Sequence, residues 1–143
     1  MILIKNINKS RPYDVFNSFY KKALDSKQKY IEAIAISSVD GVNGNADSRF
    51  VNLKYIINDE WTFFSNYNSP KSIQFKSNEN ISCLFFWNEI YTQIRIKATI
   101  KKSTEEFSDQ HYKSRSDEKN ALARSSYQSQ KIDSYENILS NYN

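Results

Sequence analysis

Six polar residues stand among apolar strand-forming residues at spacings that could serve an anion. Arg49 and Lys54 lie in RFVNLK, Ser65 follows WTFF, Ser69 and Lys71 flank Pro70 in NSPK, and Gln93 sits in TQIRI. Ser69 followed by Pro70 reads as a helix start, with an N-cap and then a first helical residue that needs no N–H. Free backbone N–H groups and the positive end of the helix dipole favour a phosphate at such a place. Arg49, from a neighbouring strand, could hold the same anion through two parallel N–H bonds. Arg49, Lys54 and Lys71 also read as solvated charges at strand and helix ends, the commoner state of Lys and Arg.

Other chemistries are poorly served. His111 and Cys83 are the only imidazole and the only thiol, and no Gly-x-Ser-x-Gly turn is present, which removes the usual nucleophilic triads. Neither a Walker loop nor a GxGxxG occurs, so a nucleotide cradled by a glycine-rich turn is excluded. One cysteine rules out a disulfide framework and any zinc site built on several thiolates, and one histidine leaves little for a His-based metal site. Twenty basic against sixteen acidic residues give a net charge of +4, too mild for a nucleic-acid binder but suited to a small phosphorylated ligand. The amino terminus carries Lys5 and no signal-peptide apolar run, and no stretch approaches the roughly 18 apolar residues of a membrane span. The expectation is a soluble, cytoplasmic protein that binds neither nucleic acid nor membrane.

These residues need a scaffold, and 143 residues suffice for a single domain, 1–143, with one core. Val15, Phe16, Phe19, Tyr20, Ala23 and Leu24 recur at three- and four-residue spacing and predict a helix over Arg11–Lys27. From Tyr30 to Ile36 the period changes to that of a mostly buried strand, closed by a turn at Asp40-Gly41 and Asn43-Gly44-Asn45. Extended runs follow at Ser48–Ile57, Trp61–Asn66 and Ile81–Trp87, with a short helix over Ser72–Lys76. Ile90 to Lys101 alternates throughout, with Ile90, Thr92, Ile94, Ile96, Ala98 and Ile100 on one face. Ser103-Thr104-Glu105-Glu106 matches a capping box and opens a helix to about Arg115. The tail from Asp117 is polar, with a weak helical pattern at Tyr135, Ile138, Leu139 and Tyr142. The class is mainly β, of α+β type: an antiparallel barrel or sandwich with flanking helices.

Four stretches in order give the chain a resemblance. AIAISSVDGVNGNADSRFVNLKYI, WTFFSNYNSPK, ISCLFFWNEIYTQIRIKATI and HYKSRSDEKNALARSSYQSQKI together resemble the pyridoxamine 5'-phosphate oxidase family of FMN-binding split barrels, from Ile34 to Ser129. The resemblance implies a six-stranded antiparallel split β-barrel working as a homodimer, with FMN at the subunit interface. It implies that Arg49, Phe50, Val51, Asn52 and Lys54 run along the flavin, with Arg49 toward its phosphate. Phe64 and Ser65 would touch the cofactor, Ser69 and Lys71 would serve its phosphate, and Gln93 would hydrogen-bond near the ring. Gln128 and Ser129 would reach FMN from the other subunit. For a vitamin B6 phosphate substrate it implies Lys54 and Arg115, with His111 and Lys119 where the family has a Tyr and a Ser. The implied reaction is hydride transfer from the substrate's 4' carbon to FMN, with dioxygen as the final acceptor. The alternative is an FMN-binding protein or flavin reductase without vitamin B6 oxidase activity.

Departures from the family pattern are specific. Pro70 replaces an Arg that precedes Lys71, Leu122-Ala123-Arg124 replaces a Gly-Ala-Trp, and the sequence ends at Asn143, before the family's carboxy-terminal segment. FMN binding is therefore expected to survive better than vitamin B6 oxidation. Apart from the resemblance, His111 also reads as a helix-surface residue, Trp61 and Trp87 as core or dimer packing, and Cys83 as an inert buried thiol.

Overall fold

Helix α1 (Arg11–Asp25) forms where Phe16, Tyr20 and Ala23 fall on one stripe, and Pro12 fits its first turn. In the computed structural model, which describes residues 1–120, that stripe is buried against the sheet. The Phe16 ring lies 4.7 Å from Trp61 and 5.9 Å from Trp87, centroid to centroid. The Trp87 indole N–H donates to the Ile31 carbonyl at 3.1 Å, which satisfies the one polar atom of a fully buried ring. Trp61 and Trp87 are thus packing residues. Burial pushes the Cys83 thiol up to about 11, leaving it an inert part of the same core.

Six strands make one mixed sheet: β1 (Leu3–Lys5), β2 (Ala33–Val39), β3 (Ala46–Ile57), β4 (Glu60–Phe63), β5 (Asn80–Trp87) and β6 (Thr92–Thr99). The order is β1-β3-β2-β5-β6, with β4 also on β3. The long strand β3 joins two halves. Residues 46–52 pair antiparallel with β2, residues 53–57 pair antiparallel with β4, and residues 55–57 pair with β1 on their other side. The architecture is that of a split barrel, and the sheet is not closed.

Several expectations need correction. The sheet is not wholly antiparallel, because β1 runs parallel to β3. Three residues carry no readable period; β1 is held instead by long-range contact, its neighbour Ile2 donating its N–H to the Tyr20 hydroxyl at 2.9 Å. Strand β2 starts at Ala33, since Tyr30 turns into the left-handed region with a φ of 52° and its carbonyl accepts the Ala33 N–H. Strand β4 stops at Phe63 rather than Asn66. Strand β6 starts at Thr92, after a 3-10 turn at Asn88–Ile90 and a left-handed Tyr91.

Two further short helices are α2 (Pro70–Ser77) and α3 (Glu105–Ser114), and residues 117–120 are again helical. Thr104, not Ser103, caps α3, accepting the Phe107 N–H at 3.3 Å. The turn after β2 is pinned to the end of α2 by the Gly41 N–H, which donates to Ser77 Oγ at 3.0 Å. Only glycine fits there, because a Cβ would lie 2.7 Å from the Ser77 carbonyl oxygen. Gln128, Ser129, the 122–124 replacement and the 135–142 pattern lie outside the described residues.

Candidate anion-binding site

Strand pairing decides which face each candidate side chain takes. Arg49 pairs with Ile36 and Val51 with Ile34, so both project toward the core face, and Arg49 does so at its rim. Its guanidinium is met there by α2. Nη1 donates to Ser38 Oγ at 2.7 Å and to the Ile36 carbonyl at 3.4 Å, while Nη2 donates to Gln74 Oε1 at 2.9 Å and to Asp47 Oδ2 at 2.8 Å. The Ser38 hydroxyl donates in turn to Gln74 Oε1 at 2.6 Å, closing a ring of three side chains. The sequence pointed to Arg49 but gave no sign of Ser38 or Gln74 as its anchors. Nor are two parallel terminal N–H groups left free for an anion.

Lys71 follows Pro70 in the first turn of α2, three residues before Gln74. Burial, and then the Arg49 charge, hold its ammonium below the usual range. Two cations are thus held near each other and partly out of water, and among the described residues the half-exposed Asp47 is the one carboxylate bonded to them. Ser69 stands at the N-cap position as expected, but its hydroxyl turns back to the Asn66 carbonyl at 2.7 Å, and no side-chain cap bond forms. Ser72 bonds the same carbonyl at 2.9 Å, so the loop from β4 to α2 is fixed from within. In that loop the Ser65 hydroxyl is buried without a partner among the described residues. A buried hydroxyl left unmatched costs free energy, and a bound ligand is one way to match it.

A second cluster forms further along β3. The ladder to β4 shifts between Leu53 and Tyr55, leaving Lys54 at a bulge, a device that re-aims a side chain. The next residue, Tyr55, meets His111 Nδ1 at 2.9 Å through its hydroxyl. The imidazole is stacked on Phe64, with centroids 3.7 Å apart and planes within 5°. His111 is therefore half-buried and not a plain helix-surface residue. Burial, then the charges of Arg115 and Lys54, lower its pKa from the ordinary 6.5. Arg115 and Lys54 therefore lie within electrostatic reach of the same ring. Arg115 also donates to the Lys119 carbonyl at 2.9 Å, while Lys119 itself is exposed.

Phe50, Asn52 and Gln93 project from the other face. Phe50 pairs with Ala35, and Gln93 pairs with Phe86. Phe50 is 76% exposed and Phe86 is 62% exposed, so this face carries an uncovered apolar patch. Gln93 is not brought together with Arg49 and Lys71 within one chain.

Arginine and lysine are the residue types that bind a phosphate monoester with charge-assisted donors, and the unmatched Ser65 hydroxyl lies in the loop that leads into α2. A sequence profile described as pyridoxamine 5'-phosphate oxidase matches residues 21–140 of this chain. The chain belongs to the pyridoxamine 5'-phosphate oxidase family. A pyridoxine/pyridoxamine 5'-phosphate oxidase of Leptospira interrogans is 33% identical over 123 residues, covering 86% of this chain and 57% of that protein. One of the same name from Rhodopirellula baltica is 34% identical over 135 residues, covering 94% and 60%. The chain thus spans less than two thirds of the length of these relatives of the oxidase family. Among solved structures, PhzG of Burkholderia lata in complex with tetrahydrophenazine-1-carboxylic acid superposes with a TM-score of 0.85 at 22% identity, covering 93% of this chain and 65% of that one. A pyridoxamine 5'-phosphate oxidase-related, FMN-binding protein of Nostoc punctiforme gives 0.65 at 15%, covering 87% and 70%. Both share the fold. No helix among the described residues is long and apolar enough to cross a membrane.

Proposed function

We propose that this chain binds FMN and oxidises a phosphorylated vitamin B6 vitamer, pyridoxamine or pyridoxine 5'-phosphate. The observation that carries the proposal is the pair of cation clusters rooted in one strand. Arg49 and Lys54 are five residues apart on β3, about 16 Å if fully extended; Arg49 is bonded to Gln74 of α2, the helix whose first turn holds Lys71, and Tyr55 beside Lys54 is bonded to His111 of α3, the helix whose C-cap is Arg115. A reaction between two phosphate-bearing molecules needs two such grips set apart from each other.

In this reading Lys71, Arg49 and the Ser65 hydroxyl hold the cofactor phosphate. Phe64 and the residues from Phe50 to Asn52 border the flavin. FMN, once bound, supplies the hydride acceptor and the route to dioxygen. Lys54 and Arg115 hold the substrate phosphate, which carries close to two charges and needs charge-assisted donors. Neutral His111 adds a hydrogen-bonding edge there, kept uncharged by burial and by its cationic neighbours. The side chains of this reading bind and orient both partners, and none is required as a general base.

A second copy of the chain is the proposed partner. The uncovered face with Phe50 and Phe86 supports a homodimer, and Gln93 stands on that same face. Gln128 and Ser129 remain proposed contacts to FMN from the partner subunit.

The test is direct. Anaerobic addition of pyridoxine 5'-phosphate to FMN-loaded protein should bleach the flavin absorbance, and admission of air should restore it and release pyridoxal 5'-phosphate. Absence of both bleaching and product refutes the oxidase reading.

A further inference from the structure

Resting on the reading of Arg49 and Lys71 as a phosphate site, we propose that Asp47 is an internal counter-anion, occupying an Arg49 donor that the phosphoester takes over when it binds. A guanidinium offers five N–H groups. In this chain the four terminal ones point to Ser38, the Ile36 carbonyl, Gln74 and Asp47. Only Nε–H has no partner among the described residues. A phosphate gripped through the guanidinium's terminal edge must therefore displace one of those four.

Three of the four are fixtures. Ser38 is 1% exposed, the Ile36 carbonyl belongs to the β2 backbone, and Gln74 is tied back to Ser38. Asp47 differs in charge and in setting. Its side chain is 55% exposed against 18% for Arg49, and it lies at the open start of β3, two residues away on the same face. An ion pair so wet is weakly held and screened by salt. A dianionic phosphate, drawn by Lys71 as well, competes well for the same N–H. The neutral partners then keep the guanidinium aimed while the anion is exchanged. In this arrangement Asp47 restrains affinity: it neutralises one of two crowded cations until the ligand arrives, and the ligand must overcome it.

The experiment compares FMN and riboflavin, which differ by the phosphate, in titrations of flavin fluorescence against the full chain. Asp47→Asn keeps an acceptor for Arg49 and removes only the charge; Asp47→Ala removes both; Asp25→Asn, at the end of α1, makes the same charge change elsewhere. The expected result is FMN binding tightened in both Asp47 variants by roughly two- to five-fold, the range an exposed ion pair supports, with Asp25→Asn like the parent. Riboflavin affinity should not move. FMN binding that is unchanged or weaker in both Asp47 variants overturns the inference and makes Asp47 a mere prop for Arg49. If the parent binds FMN and Arg49→Ala abolishes it while Asp47→Asn changes nothing, the phosphate reading stands and only the counter-anion falls. If the parent binds neither FMN nor inorganic phosphate, both fall.

Discussion

Gln74 Oε1 accepts from Arg49 Nη2 at 2.9 Å, and this one bond fastens helix α2 to strand β3 a single turn after Lys71. The two cations of the candidate phosphate site are therefore linked through a neutral side chain, which also accepts from the buried Ser38 hydroxyl at 2.6 Å.

Replacing Gln74 with Ala should weaken FMN binding by about 0.5–1.5 kcal/mol, the worth of one hydrogen bond, or roughly two- to ten-fold. The fold should persist, since Gln74 is only half-buried. Equilibrium titration with FMN checks the first point and a thermal melt the second. An unchanged dissociation constant would remove Gln74 from the site.

Gly41→Ala should act on stability and site together. The added Cβ would press against the Ser77 carbonyl, where α2 ends, and overpacking of this kind costs about 1–3 kcal/mol. Because α2 carries both Lys71 and Gln74, FMN affinity should fall along with the midpoint of denaturant unfolding. A stable variant with normal affinity would show that the turn does not set the helix.

His111 gives the chain a pH signature. Its folded pKa lies below 6.5, so below that value the unfolded chain takes up the proton first. The stabilisation is complete above about pH 6.5, declines as the pH falls through the interval down to the folded pKa, and is constant below it. His111→Gln should flatten the fall of melting temperature between about pH 7 and pH 5. Identical slopes for parent and variant would contradict this.

Phe86→Asp should leave the monomer folded and abolish self-association. Phe86 is 62% exposed on the outer face of β5, so the change costs little within one chain but puts a charge into a proposed apolar contact. Sedimentation velocity of parent and variant decides; a parent that is already monomeric would exclude the homodimer.

Much of this arrangement was legible in the sequence because it rests on local pattern. Helix α1 follows from the spacing of Phe16, Tyr20 and Ala23, and β6 from the alternation of Ile94 and Ile96 with Gln93 and Arg95. What was not legible depends on partners far along the chain. Strand β1 is held by Tyr20 and β3, the left-handed Tyr91 interrupts an otherwise unbroken alternation, and the Ser38–Gln74 anchor joins residues 36 positions apart. Arg49 was visible as a candidate from its residue type and place, whereas the carboxylate and amide that occupy its terminal donors were not. His111 looked like a surface residue until Tyr55 and Phe64 were brought against it by the bend of β3 into β4.

Native mass spectrometry of the chain incubated with FMN tests the central claim most directly, because it counts subunits and flavins in one spectrum. The parent should retain one FMN per chain, and the Arg49→Ala, Lys71→Ala double variant should keep the parent's subunit count while losing the flavin. A double variant that retains FMN as the parent does, or a parent that retains none, would contradict the assignment of these two cations to the cofactor phosphate.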